Sequence, residues 1–216
     1  MNQLFGRTVQ KLDTHVWHVP DWLDQDAQHS LAKLCHLWTP AGFQRTQLPN
    51  KKWMSVETAC LGWHWYPYGY SRFVDTKQTQ PVPAFPNELQ ALASQAIADT
   101  YGYDIDYSPD TALLNKYNND ARQGMHQDSD ERCDAPVVSI SLGATATFRF
   151  GNTTNRNKPW QDIELRSGDL FVFGGSRRFS YHGVPKVHDD GGTTLTPGTR
   201  LNITIRQVEP SKTPKR

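Results

Sequence analysis

Apolar residues recur at helical spacing in two segments. After Asp21, an N-cap residue type, Leu23, Ala27, Leu31, Leu34 and Trp38 form one stripe that stops before Pro40. A second stripe starts near Asn87, runs through Leu89, Leu92, Ala93, Ala96 and Ile97, and closes at Gly102. From Thr111 onward the texture changes to short β-branched and aromatic runs broken by Gly, Asn, Asp and Pro. This predicts strands over 111–117, 137–142, 146–150, 161–165, 169–173, 178–183 and 199–206. Two helices followed by many short strands predict an α+β, mainly β chain whose core is a double-sheet jelly roll with the helices packed outside. Only 210–216 reads as a flexible tail.

Alternation within strands separates their faces. In Arg200-Leu201-Asn202-Ile203-Thr204-Ile205-Arg206 the aliphatic residues point one way, and Arg200, Asn202, Thr204 and Arg206 the other. In 113–117 the same arithmetic puts Asn115 and Tyr117 on one face. Two reasons for such polar faces stand open: solvation on the wet side of a sheet, or a shared cleft whose guanidinium groups bind a small dicarboxylate.

The 216 residues favour one domain, spanning 1–209. With 23 Lys+Arg against 22 Asp+Glu the net charge is +1, which excludes a histone-like polycation and leaves any anionic partner to a local patch. One candidate lies at 149–178, where Arg149, Arg156, Lys158, Arg166, Arg177 and Arg178 outnumber Asp162, Glu164 and Asp169. Within it Arg156 is the residue expected to meet a phosphate. Cys35, Cys60 and Cys133 are odd in number and far apart, so no disulfide framework is expected and a reducing cytoplasm fits. Met1 to Trp17 shows no secretory signal, no segment approaches a membrane span, and nothing demands more than a monomer.

His126-Gln127-Asp128 sets an imidazole and a carboxylate two residues apart, on one side of an extended chain. The second such pair, His188-Asp189-Asp190, lies in a Gly- and Asp-rich loop and carries less weight. His182, closing the run Phe179-Ser180-Tyr181-His182, supplies a third ligand type. Two histidines and one carboxylate leave positions open on an ion, which suits non-haem Fe(II) better than a closed structural zinc.

Taken together, Asn115-Lys116-Tyr117, His126-Gln127-Asp128-Ser129-Asp130-Glu131, Pro136 to Gly143, Gly168-Asp169, His182-Gly183 and Arg200-x-Asn202-x-Thr204-x-Arg206 resemble the AlkB family of Fe(II)/2-oxoglutarate dioxygenases, from about Leu61 to Gln207. The resemblance implies a jelly-roll core over about 107–207 and a substrate lid over about 53–80. It implies Fe(II) on His126, Asp128 and His182, and 2-oxoglutarate on Arg200, Asn115, Tyr117, Asn202 and Arg206. The implied reaction is oxidative demethylation of bases such as 1-methyladenine or 3-methylcytosine in alkylated DNA, with RNA as a further substrate; succinate, CO2 and formaldehyde are released.

Leu61 to Tyr70 holds five aromatics beside Pro67 and Gly69. These rings either stack a base taken out of its helix or pack on the body as a hairpin. The resemblance of Leu61-Gly62-Trp63 and Gly69-Tyr70 to AlkB-like lids selects Trp63 and Tyr70 as substrate contacts. It also selects Asp130 as the carboxylate facing a cationic methylated base. Arg72 departs from the residue that related lids carry. The alternatives are a dioxygenase acting on a protein or small molecule and a non-catalytic nucleic-acid-binding module.

Overall fold

The computed structural model describes residues 8–102, 105–118, 120–188, 192–193 and 196–210. Apart from Pro210, the expected tail lies outside them. The chain opens with strands β1 (Gln10–Asp13) and β2 (Val16–Val19), followed by helix α1 (Gln25–Trp38). Four strands come next: β3 (Gln44–Gln47), β4 (Trp53–Leu61), β5 (His64–Tyr66) and β6 (Gly69–Ser71). Helix α2 (Asn87–Thr100) leads into β7 (Thr111–Tyr117), β8 (Gln123–His126), β9 (Val137–Gly143), β10 (Ala146–Phe150), β11 (Gln161–Leu165) and β12 (Leu170–Phe173). The chain closes with β13 (His182–Val187), the short pair β14 (Gly192–Thr193) and β15 (Thr196–Pro197), and β16 (Arg200–Arg206).

Both predicted helices are present, with one correction. The residue that caps α1 is Asp24, whose Oδ1 accepts from the Ala27 amide at 2.8 Å. Asp21 lies outside the helix at φ 51° and donates its own amide to Asp169 Oδ1. Helix α2 ends where Gly102 takes a left-handed φ of +85°. The strand expected over 178–183 is also displaced, because Gly175–Arg177 forms a 3-10 turn and the ladder begins only at His182.

The strands form two antiparallel sheets. One has eight strands in the order β1-β2-β12-β9-β16-β7-β4-β3, the other four in the order β11-β10-β13-β8. Leu31, Cys35, Leu89, Ala93 and Ile97 of the helices pack on Leu114, Ile140, Leu201, Ile203 and Ile205, covering one face of the large sheet. Between the sheets Phe148, Phe150, Phe171, Phe173 and Val184 fill a second apolar cluster. All seven residues of β16 are buried, so its polar face is not a wet face: it looks into the space between the sheets. At roughly 25 cal/mol per Å² of apolar surface removed from water, the two clusters hold the sandwich together. That leaves the polar inner residues free to serve a site.

The segment expected to form a lid is divided. Trp53–Leu61 belongs to the large sheet, paired with β7, and only the β5–β6 hairpin and the chain after it project. Gly62 makes the transition at φ +78°, where an added Cβ would lie 2.0 Å from the Asp110 carbonyl oxygen.

Candidate active site

Strands β8 and β13 pair so that His126 and His182 stand directly opposite each other, their ring centroids 4.5 Å apart. Gly183 permits this approach, since a Cβ there would sit 2.7 Å from the Gln123 carbonyl oxygen. Asp128, two residues past His126, turns its carboxylate between the rings, with Oδ1 3.5 Å from His126 Nε2 and Oδ2 3.5 Å from His182 Nε2. The three ligand atoms lie within 4.8 Å of one another.

The surroundings prepare these groups for a cation. Each Nδ1 contacts a backbone carbonyl at 2.9 Å, Gly124 for His126 and Ser180 for His182, a partner that places the proton on Nδ1 and leaves Nε2 as the acceptor nitrogen, met in His126 by the Gln123 amide at 3.4 Å. Burial lowers the His182 pKa, and Asp128 opposes this only partly, so the ring stays neutral. Burial on its own would raise the Asp128 pKa, but Arg206 and then His182 outweigh it and hold the carboxyl well below its usual range. Asp128 Oδ2 is buried and has no hydrogen-bond partner, an orphaned acceptor that a metal ion would satisfy. An anionic oxygen and two imidazole nitrogens are the donor set of a non-haem iron site.

Beside the triad runs the polar face of β16. In register, Arg200 pairs with Tyr117 and Asn202 with Asn115 of β7. Arg200 is 1% exposed; its Nη2 donates to Ser141 Oγ at 2.9 Å, its Nε has no partner, and no carboxylate pairs with it among the described residues. Burial draws its pKa down to about 10. A guanidinium stripped of water and counter-ion is a receptor for a carboxylate ligand. Tyr117 donates to Gln123 Oε1 at 2.7 Å, and Asn202 Nδ2 to Ser139 Oγ at 2.8 Å. Arg206 lies at the other end, with Nη2 2.8 Å from Asp128 Oδ1 and Nη1 3.0 Å from Glu131 Oε1.

A cavity of about 580 Å³ opens above His126 and Asp128. Asp130 and Arg156 line it, as does Trp65. The Trp65 Nε1 donates to Asp130 Oδ2 at 2.8 Å, so ring and carboxylate form one wall. Trp63 and Tyr70 are not brought there. Trp63 is 8% exposed, donates Nε1 to Asp110 Oδ2, and has the Arg72 guanidinium carbon 3.6 Å from its ring centroid. Tyr70 is buried with its hydroxyl on Glu131 Oε1 at 2.6 Å. The rings of the hairpin therefore divide, and packing on the body takes the two that the sequence singled out.

The basic run at 149–178 is also reduced. Arg149 pairs with Asp162, Arg166 with Glu164 and Arg177 with Asp13, while Arg178 is 1% exposed. Sequence reasoning missed Trp65, Glu131 and the inward role of Arg178. Alternation along an extended chain puts Trp63 and Trp65 on one face, so no local signal could have separated Trp65 from Trp63.

A family model of the 2OG-Fe(II) oxygenase superfamily matches residues 15–206. The chain belongs to this superfamily. It is a dioxygenase dependent on Fe(II) and 2-oxoglutarate, with a jelly-roll core and the His126, Asp128 and His182 triad. It is 39% identical over 171 residues to the alpha-ketoglutarate-dependent dioxygenase AlkB of Escherichia coli K12, covering 77% of each chain. It is 34% identical over 192 residues to the DNA N(6)-methyladenine demethylase ALKBH1C of Arabidopsis thaliana, covering 77% of this chain and 42% of that one. The solved structure of OsALKBH1 superposes with a TM-score of 0.80 at 29% identity, over 92% of this chain and all of the other.

Proposed function

We propose that this dioxygenase removes N-linked methyl groups from nucleic-acid bases, with DNA bearing 1-methyladenine or 3-methylcytosine as the substrate to test first. The observation that carries the reading is the cavity above His126 and Asp128, walled by an aromatic ring bonded to a carboxylate. Methylation of a ring nitrogen engaged in pairing leaves a base cationic, and both a tryptophan face and an ionised carboxylate favour such a charge. Damaged pairing also lowers the cost of taking that base out of its helix. The names of the relatives point the same way.

Position supports the following roles. His126, Asp128 and His182 hold the iron. Arg200 takes the distal carboxylate of 2-oxoglutarate, while Asn115, Tyr117, Asn202 and Arg206 shape the rest of that pocket. When bound, the iron and its cosubstrate supply the oxygen chemistry that oxidises an N-methyl carbon, which leaves as formaldehyde. The protein orients the base on Trp65, offers Asp130 as acceptor, and keeps the β16 face dry. Arg156, at the rim, meets the phosphate backbone. A buried guanidinium with no carboxylate partner among the described residues argues against a non-catalytic binding module.

Iron-loaded protein is mixed anaerobically with 2-oxoglutarate and oligonucleotides bearing either base, then exposed to air. Loss of one methyl mass with matching succinate is the expected result. Succinate formed without methyl loss on any oligonucleotide would transfer the activity to a protein or small-molecule substrate.

A further inference from the structure

Two of the metal ligands are fixed by a ladder, but the third is not. His126 ends β8 and His182 begins β13, whereas Asp128 lies at the start of the segment 127–136, which contains neither helix nor strand. Something other than backbone pairing must hold its carboxylate. Arg178, four residues before His182, uses its whole guanidinium for this: Nη1 donates to the Asp128 carbonyl at 2.6 Å, Nε to the Ala135 carbonyl at 2.7 Å, and Nη2 to Glu131 Oε2 at 2.9 Å. Both ends of the irregular segment and its middle are thus gripped by one side chain rooted beside the other ligand strand.

The grip closes into a ring. Glu131, 1% exposed in its side chain, also accepts from Arg206 Nη1 at 3.0 Å, and Arg206 Nη2 returns to Asp128 Oδ1 at 2.8 Å. Asp128 is therefore held at its carbonyl by one arginine and at its carboxylate by another, with Glu131 setting the separation of the two. Planar forks locked in this way lose little further freedom per bond and transmit position rather than absorb it.

We propose that Arg178 is a positioning residue for the metal centre: through the Asp128 carbonyl and Glu131 it fixes where the Asp128 carboxylate stands relative to His182. The inference rests on the reading of His126, Asp128 and His182 as metal ligands. It does not depend on what is demethylated.

The test uses full-length protein freed of metal with a chelator and titrated with Mn(II), free ion being read by electron paramagnetic resonance without nucleic acid or turnover. Arg178→Gln is expected to weaken Mn(II) binding roughly 10- to 100-fold, the usual cost of losing an outer-sphere partner. Arg178→Lys keeps the charge but lacks the fork that reaches three acceptors, and is expected to weaken it by about fivefold or more. Arg177→Gln, in the same turn but paired outward with Asp13, is expected to leave it unchanged. Thermal melting of each metal-free variant reports the folded fraction. A folded Arg178→Gln protein binding Mn(II) within about twofold of wild type overturns the proposal. So does Arg178→Lys at wild-type affinity beside an Arg178→Gln protein whose loss merely tracks unfolding. His126→Ala binding as tightly as wild type removes the ligand reading itself, and this proposal with it.

Discussion

Arg200 and His182 show how burial alters single side chains. Arg200 keeps its charge in a dry site against the pull of desolvation, and a bound carboxylate reverses that strain. Replacing it by Ala is expected to raise the 2-oxoglutarate KM by roughly 10- to 100-fold with a smaller effect on kcat, since hydrogen bonds to charged groups contribute about 1.5–3 kcal/mol. A succinate-formation titration at saturating iron measures this. His182 carries a pH dependence of definite sign. Its folded pKa lies below the ordinary 6.5, chiefly through burial, so the unfolded chain takes up a proton at higher pH than the folded one. Its contribution to stability is complete above about pH 6.5 and declines as the pH falls through the window below. Proton and metal compete for the same Nε2, so Mn(II) affinity is expected to drop from about pH 7.5 to about pH 5.5, with His182 contributing less than the roughly tenfold loss an imidazole at its ordinary pKa would give. The depressed Asp128 carboxyl titrates below its ordinary 3.8 and stays ionised throughout that range. Isothermal titration at several pH values checks the slope.

The β5–β6 hairpin is the element in which sequence and structure part most clearly. Five aromatics in ten residues promise stacking, but which rings remain free depends on what covers the others. Arg72 lies over Trp63 and anchors to the Gly62 carbonyl at 2.8 Å, so Trp63 fastens the hairpin to the body while Trp65 lines the cavity. Trp65→Ala is expected to weaken binding of a methylated oligonucleotide by about 1–3 kcal/mol, the contribution of one stacked base, with little change in melting. Trp63→Ala is expected to lower the melting temperature, at a cost of about 3–5 kcal/mol for a buried aromatic. Fluorescence anisotropy and thermal melts of both variants distinguish the two roles. Of the strands that periodicity did not predict, which also include the buried β2 and the sheet strand β4, three share one cause: β1 and β3 are mostly exposed edge strands, and β8 is a four-residue run of mixed polarity, so none of the three carries an apolar alternation strong enough to read.

For the molecule as a whole, the two apolar clusters are built without His126, Asp128 or His182, and the metal site is a guest of the sandwich rather than its keystone. Chelation is therefore expected to leave a single cooperative unfolding transition. At metal about 100-fold above its dissociation constant, linkage adds about 2.7 kcal/mol, which corresponds to a midpoint roughly 5–10 °C higher than without metal. Differential scanning calorimetry with and without chelator checks both statements.

By itself the sequence determined the fold class, the two helices, the alternation that gathers the polar residues of β16 on one face, and the two histidines and one carboxylate that are candidate metal ligands. Each of these follows from short-range periodicity or from residue type at fixed spacing. The direction in which that polar face looks was settled only by the packing of the two sheets. Only the tertiary structure decided that His126 stands across from His182, that Trp65 rather than Trp63 lines the cavity, and that Arg178 turns inward to the Asp128 loop. Those outcomes depend on register, on which neighbour covers which ring, and on hydrogen bonds between residues about fifty positions apart, as between Arg178 and Asp128. Local pattern carries no information about such pairings, because they exist only once the two sheets have closed over each other.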